Sequence, residues 1–234
     1  MRRIGLIGGT SWESSAHYYR ALNEGVRDRL GGLHSADLVL RSVEFAEISA
    51  LQEAGDWDEL GRRYAADARA LRSSGAELIA ILANTMHLVA DQVGEASGLP
   101  VVHIVDVAGA EVLRRGVSKV GLIGTAYTME SDLYPSRFAA LGIEVVTPGA
   151  DDRAMIHRVI YDELALGIVN DASRKAYLEV IDRLVAEGAT AVLLGCTEHA
   201  MLLGPDDGPV PLIDTTAIHV EAILDAALRE ELHP

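Results

Sequence analysis

"ATAVLLGCTEHA", residues 189–200, is an apolar run that stops at Gly195 and leads straight into the chain's only cysteine, Cys196, followed by Thr197, Glu198 and His199. A short apolar run closed by glycine reads as a strand buried on both faces. The polar cluster then falls where the chain leaves the strand and a helix begins. Free cysteine packs as a small hydrophobe and is often buried for that reason alone, so the run decides little by itself. Its counterpart decides more. "AELIAILANTMH", residues 76–87, follows the same plan and sets Ala83 opposite Cys196 and Asn84 opposite Thr197.

Two further pairs keep the same order at nearly the same separation. "IGLIGGTSWESSAHYY" (4–19) resembles "VGLIGTAYTMESDLYP" (120–135), and "PVVHIVD" (100–106) resembles "VPLID" (210–214), setting Asp106 opposite Asp214. The chain reads as two copies of one half. "DLVLRSV" (37–43) and "EVVTPG" (144–149) add a strand to each, and helical stretches lie between the strands. Leu60, Tyr64, Ala68 and Leu71 line one helical face; Ala176, Val180, Ile181 and Leu184 line another, which Gly188 ends. Strands alternating with helices mean a parallel sheet covered on both faces. The expected fold is α/β: two pseudo-symmetric Rossmann-like half-domains, residues 1–105 and 106–214, related by a pseudo-twofold axis. A C-terminal helix, 215–234, should return to the first half. Ligand sites in such folds lie beyond the carboxyl ends of the strands, which puts the expected active site in the cleft between the halves.

Composition narrows the function. With 20 basic against 35 acidic residues the formal charge is −15, which argues against nucleic-acid binding through phosphate neutralisation. No apolar stretch approaches the roughly 18 residues of a membrane span. The opening "MRRIGLIGGTSWE" has two arginines before a short apolar run, but Gly8, Gly9 and Trp12 follow too soon for a signal peptide. One cysteine forms no internal disulfide, which suits a reducing, cytoplasmic location. "GLIGGTS" lacks the G-x-G-x-x-G spacing of a dinucleotide site.

At this point the sequence resembles the PLP-independent aspartate/glutamate racemase superfamily. The residues that carry the likeness are "GLIGGTSWESSAHYY", "ANTMH", "GTAYTME", "IYDELALG", "GCTEH" and "IDTTAIH", and they run through almost the whole chain. The resemblance implies a homodimer acting on a small amino acid with no metal and no cofactor. It also implies two facing cysteines, at the positions of Ala83 and Cys196: one thiolate removes the α-proton and the other thiol returns a proton to the opposite face. Such a reaction needs the base held in near-attack geometry and the carbanion stabilised electrostatically. Thr197 as a helix cap, with unpaired amides beyond it, would lower the Cys196 thiol below its reference value. The same amides, with Asn84, Thr85 and the turn holding Thr10 and Ser11, would cradle a substrate carboxylate. Thr125 takes the matching place in the second half.

Other residues keep two readings. Gln52 follows "SVEFAEI" and is a substrate contact or a packed residue; Trp12 is a pocket wall or plain packing. His87 and His199 read as satisfied structural histidines, with a cleft-facing role as the alternative. Glu198 orients a neighbour or offsets a helix dipole. Asp162 and Glu163 meet an amino group or face solvent.

Ala83 departs from the pattern, because alanine carries no proton. A racemase that lost one acid/base group, naturally or by substitution, is one reading. A relay through Thr85 or Thr125 is another. A one-cysteine decarboxylase or lyase of the same superfamily is a third, and a non-catalytic amino-acid-binding sensor is a fourth, from a different class. Relatives specific for aspartate are expected to carry a lysine where this chain has Ala165. Arg41 is a candidate replacement or a surface charge.

Overall fold

The computed structural model of the protein describes residues 1–232. They divide into two compact units: residues 1–103 with the segment from His219 onward, and residues 104–218.

The first unit runs β1 (Ile4–Gly8), α1 (Trp12–Leu30), β2 (Leu38–Ser42), α2 (Phe45–Ala54), α3 (Trp57–Ser73), β3 (Leu78–Ile81), a 3₁₀ turn at Thr85–Val89, and α4 (Ala90–Ser97). Its strands are parallel in the order β2-β1-β3. A single bridge from Ile79 to Val101 adds the rudiment of a fourth. Alternation sorts the strand side chains onto two faces, as the two-residue period of a strand requires. Ile4, Leu6, Leu78, Ala80 and Leu82 pack with Tyr18, Leu22 and Val26 of α1, whereas Ile7, Ile79 and Ile81 pack with Leu60, Tyr64, Ala68 and Leu71 of α3. The helical face of α3 expected from its spacing is therefore the buried one.

Two glycines explain the turn after β1. A Cβ on Gly8 would collide with Ser15 Oγ, and Gly9, at φ +100°, has Val43 backbone against its empty side. The Gly9 N–H donates to Ser15 Oγ at 2.8 Å. The pair lets α1 start close against the sheet, at a φ that L-residues rarely adopt.

The second unit runs α5 (Ile104–Arg114), β4 (Lys119–Gly124), α6 (Ala126–Glu130), α7 (Leu133–Ala139), β5 (Glu144–Val146), α8 (Ala150–Asp162), a 3₁₀ turn at Leu164–Leu166, α9 (Asp171–Ala186), β6 (Val192–Gly195), α10 (His199–Leu202) and β7 (Leu212–Asp214). The sheet is parallel, in the order β5-β4-β6-β7. Val180, Ile181 and Leu184 of α9 are buried against it. The last helix, α11 (Thr215–Leu232), leaves β7 and packs Val220, Ile223, Leu224, Ala227 and Leu228 onto the α1 face of the first unit's sheet. Residues 233–234 of the expected C-terminal helix lie outside the described residues. No helix among the described residues is long and apolar enough to cross a membrane.

Register corrects one detail of the repeat. Ile79 pairs with Val101 and Val192 pairs with Leu212, so two steps further along His103, and not Asp106, is the counterpart of Asp214. The following helices agree, starting at Ile104 and Thr215. Asp214 accepts from the Thr216 N–H at 2.8 Å, whereas Asp106 lies within α5 and pairs with Arg137 at 2.6 Å. The shared closing aspartate misled because strand pairing, not letter identity, sets equivalence in a sheet.

Candidate active site

Cys196 follows the last residue of β6, which stands in register with Gly124 at the end of β4. Thr125 therefore leaves the neighbouring strand beside it. Thr125 caps α6, its hydroxyl accepting from the Thr128 N–H at 3.3 Å. The Cys196 thiol is partly buried and donates to Glu198 Oε2 at 3.0 Å. Thr197 and Glu198 are both buried.

This arrangement overturns two expectations. Thr197 does not cap a helix: the capping position is Glu198, and α10 is a four-residue helix. The thiol is also not lowered. Burial pushes it well above its usual value, and the Glu198 carboxylate adds to the rise through both its charge and its hydrogen bond. Backbone N–H groups of Thr197 and Glu198 act the other way and are outweighed. A short helix supplies little dipole, and a desolvated carboxylate at hydrogen-bond distance favours the protonated neighbour. The resting state is a thiol.

Around it lies a buried shell. Tyr177 donates to the Ile156 carbonyl at 3.2 Å, and its hydroxyl is raised by burial and by the charges of Cys196, Glu163 and Glu198. Each of those three groups therefore lies within electrostatic reach of Tyr177. Glu163 accepts from Ser173 Oγ at 2.7 Å. His199 is fully buried, edge-on to Tyr177 with ring centroids 5.4 Å apart. Among the described residues neither of its ring nitrogens has a hydrogen-bond partner, and burial pushes its pKa down to about 3. It is a neutral core histidine, not a satisfied one. Asp162 is exposed.

The remaining predicted residues lie in the first unit. Ser11 caps α1, accepting from the Ser14 N–H at 3.4 Å, with Thr10 just before it. Ser14 Oγ donates to the Leu82 carbonyl at 3.0 Å, tying that turn to the end of β3. There Ala83 is partly buried, and Asn84 and Thr85 are buried. Gln52 is 4% exposed, its Nε2 3.2 Å from Met86 Sδ, so α2 packs directly on the turn that holds Thr85. Trp12 is 65% exposed. Arg41 is held by Asp67 at 2.9 Å and by the Ser42 carbonyl at 2.6 Å.

One feature had no signal in the sequence beyond three scattered histidines. His87 Nδ1 donates to the Ala83 carbonyl at 2.9 Å, and its ring lies 4.7 Å from that of His103 and 5.8 Å from that of His219. His219 Nε2 donates to the Val102 carbonyl at 2.7 Å, which leaves Nδ1 to accept from the Tyr18 hydroxyl at 2.9 Å. A carbonyl can only accept, so this pair fixes the tautomer. The cluster anchors the turn at position 83 to α1 and α11.

The family model for Asp/Glu/hydantoin racemases matches residues 7–223. The chain belongs to that family. It is 47% identical to an assigned Asp/Glu racemase of Yersinia pestis over 97% of this chain and 100% of the other, with a TM-score of 0.90. An aspartate racemase homologue from Pyrococcus horikoshii is 35% identical over 97% and 99% of the two chains, with a TM-score of 0.83. A broad specificity amino-acid racemase of Bacillus subtilis is 23% identical over 163 residues, 69% of this chain and 70% of that one. Membership of the racemase family supports a racemase-like function. The α/β fold with two parallel sheets is the one its structural relatives share.

Proposed function

We propose that this chain is a cofactor-independent amino-acid racemase in which Cys196 is the working acid/base and position 83, an alanine, supplies none. Thr10, Ser11, Gln52, Asn84, Thr85, Thr125 and Thr197 bind the amino acid. Glu198 positions the thiol. The observation that carries this reading is the Cys196 thiol at a strand's carboxyl end, hydrogen-bonded at 3.0 Å to a buried carboxylate, in a chain of this family. A protonated thiol is suited to delivering a proton to a carbanion. To remove one it must first ionise, which a substrate ammonium beside Glu163 and Glu198 would favour by offsetting their charge. The protein works as a cytoplasmic homodimer; light scattering giving the mass of one chain would overturn the dimer.

Ala83 itself favours a second reading, an amino-acid sensor that binds without chemistry. Incubation with L- and D-amino acids in heavy water separates the two. The enzyme should exchange the α-proton of one enantiomer, with retention and slow net racemisation, and lose that exchange in Cys196→Ala. A sensor binds and exchanges neither.

A further inference from the structure

Helix α1 has two unlike faces. Tyr18, Leu22 and Val26 are buried against the first unit's sheet. On the neighbouring face Trp12, Ala16, Tyr19 and Arg27 are exposed, with Asn23 half-buried among them. Steps of three and four residues keep these five on one stripe. The stripe forms one wall of a depression of about 780 Å³, and Leu40 and Ser42 of β2, the edge strand of the sheet, form another. Trp12 is 65% exposed and Tyr19 53%. Among the described residues no other tryptophan, tyrosine or phenylalanine is exposed.

From this face we infer that α1 and its groove form the surface on which two copies of this chain dimerise, stripe against stripe. The inference rests on the reading of the protein as a homodimer and says where the copies meet. The groove has the composition of an interface centre, where tryptophan, tyrosine and arginine are enriched and a few such residues carry most of the binding energy. A second copy, rather than an unrelated partner, is favoured by self-complementarity. A twofold interface sets one surface against itself, so the patch must hold both bulk and room, and both signs of charge. Here Trp12 and Tyr19 stand beside the small Ser15, Ala16 and Ser42, and Arg20 lies one helical turn from Glu24. Net charge points the same way. With 20 basic against 35 acidic residues, two copies repel over most of their surface. The groove reverses that balance, with two arginines, Arg20 and Arg27, to one acidic residue, Glu24.

The test is analytical ultracentrifugation of the full chain over a series of concentrations. The wild-type protein should sediment with twice the mass of one chain. Tyr19→Glu, which puts a charge at the centre of the stripe, and Glu24→Arg, which leaves the groove one sign of charge, should each raise the dissociation constant by about tenfold or more. The double reversal Arg20→Glu with Glu24→Arg keeps both signs and should dimerise close to wild type. Acrylamide quenching of Trp12 gives a reading that needs no change in the groove. Measured in Trp57→Phe, where Trp12 is the sole tryptophan, quenching should fall as concentration rises through the dissociation constant. A dimer that neither single variant weakens overturns the inference and leaves the homodimer standing. So does a double reversal as weak as Glu24→Arg, or a Trp12 quenched equally in monomer and dimer. A wild-type protein with the mass of one chain at every concentration overturns both and leaves the groove to another occupant.

Discussion

The Cys196 thiol donates a 3.0 Å hydrogen bond to Glu198, and the carboxylate that receives it also holds the thiol in its protonated form. One contact positions the sulfur and suppresses its ionisation. Replacing Glu198 with glutamine keeps a hydrogen-bonding oxygen and removes the charge. The thiol should then ionise at lower pH, because a charge at this distance moves a buried group by one or more units. Alkylation of Cys196 by iodoacetamide at pH 8 should rise by about tenfold in Glu198→Gln, a pKa unit being a factor of ten in thiolate below the midpoint. An unchanged rate would show that burial alone sets the thiol.

The same shift fixes the pH dependence of α-proton exchange. Below its raised pKa the thiolate fraction grows tenfold per pH unit. Exchange in the wild-type protein should therefore climb with a slope near one across neutral and mildly alkaline pH. Initial rates followed by NMR between about pH 6.5 and 9 check it, and a plateau that starts below neutrality contradicts a raised thiol.

Both parallel sheets, the helical faces of α3 and α9 and the strand-end position of Cys196 were legible because each rests on local periodicity or on the internal repeat. What was not legible depends on distance in space. Glu198 is two residues from Cys196, yet its effect on the thiol depends on burial and on side-chain direction. Sequence alone left Glu198 between orienting a neighbour and offsetting a helix dipole, and its reading of Thr197 as a cap gave the thiol a shift of the opposite sign. His103 took the place given to Asp106 because the fourth strand of the first sheet shrinks to one bridge at Val101, leaving too little periodicity to read. The contact of Tyr18 with His219 joins residues 201 apart in the chain.

His199 and His219 give the fold a predictable acid sensitivity. Each is fully buried, with its pKa pushed down to about 3. Below about pH 6.5 the unfolded chain binds protons that the folded chain refuses, so stability is complete above that value and falls as pH drops. The slope approaches about 1.4 kcal/mol per pH unit for each histidine. His199→Phe keeps a ring against Tyr177 and removes two buried nitrogens that have no partner among the described residues. Urea unfolding between about pH 4 and 7 should show the slope reduced by about one proton, with stability at pH 7.5 no lower than wild type. An unchanged slope would mean that His199 is protonated in the fold.

Tyr18→Phe addresses the histidine cluster. It removes the hydroxyl that donates to His219 Nδ1 and leaves that buried nitrogen without this donor. An abandoned buried acceptor costs about 1–3 kcal/mol, and in a chain of this size each kcal/mol lowers the melting midpoint by about 2–4 °C. Calorimetry should find that drop. A midpoint equal to wild type would show that the tyrosine contributes packing alone.

Ala83→Cys is the change that bears most directly on the missing acid. The residue is partly buried at the end of β3, and its carbonyl is fixed by His87 at 2.9 Å, so a side chain added there leaves a backbone already held in place. If Cys196 serves one face of the α-carbon and position 83 the other, the new thiol supplies the second proton transfer. General acid–base catalysis by one placed group contributes roughly 10²- to 10⁴-fold. Net racemisation, measured by chiral chromatography, should rise by that factor, while exchange of the enantiomer that Cys196 already serves changes by far less. Cys196→Ala in the same background should remove the gain, since the one remaining thiol then lacks its complement. Fast racemisation in the wild-type protein, with nothing added by Ala83→Cys, would show that another group serves the second face and that position 83 has no part in the chemistry.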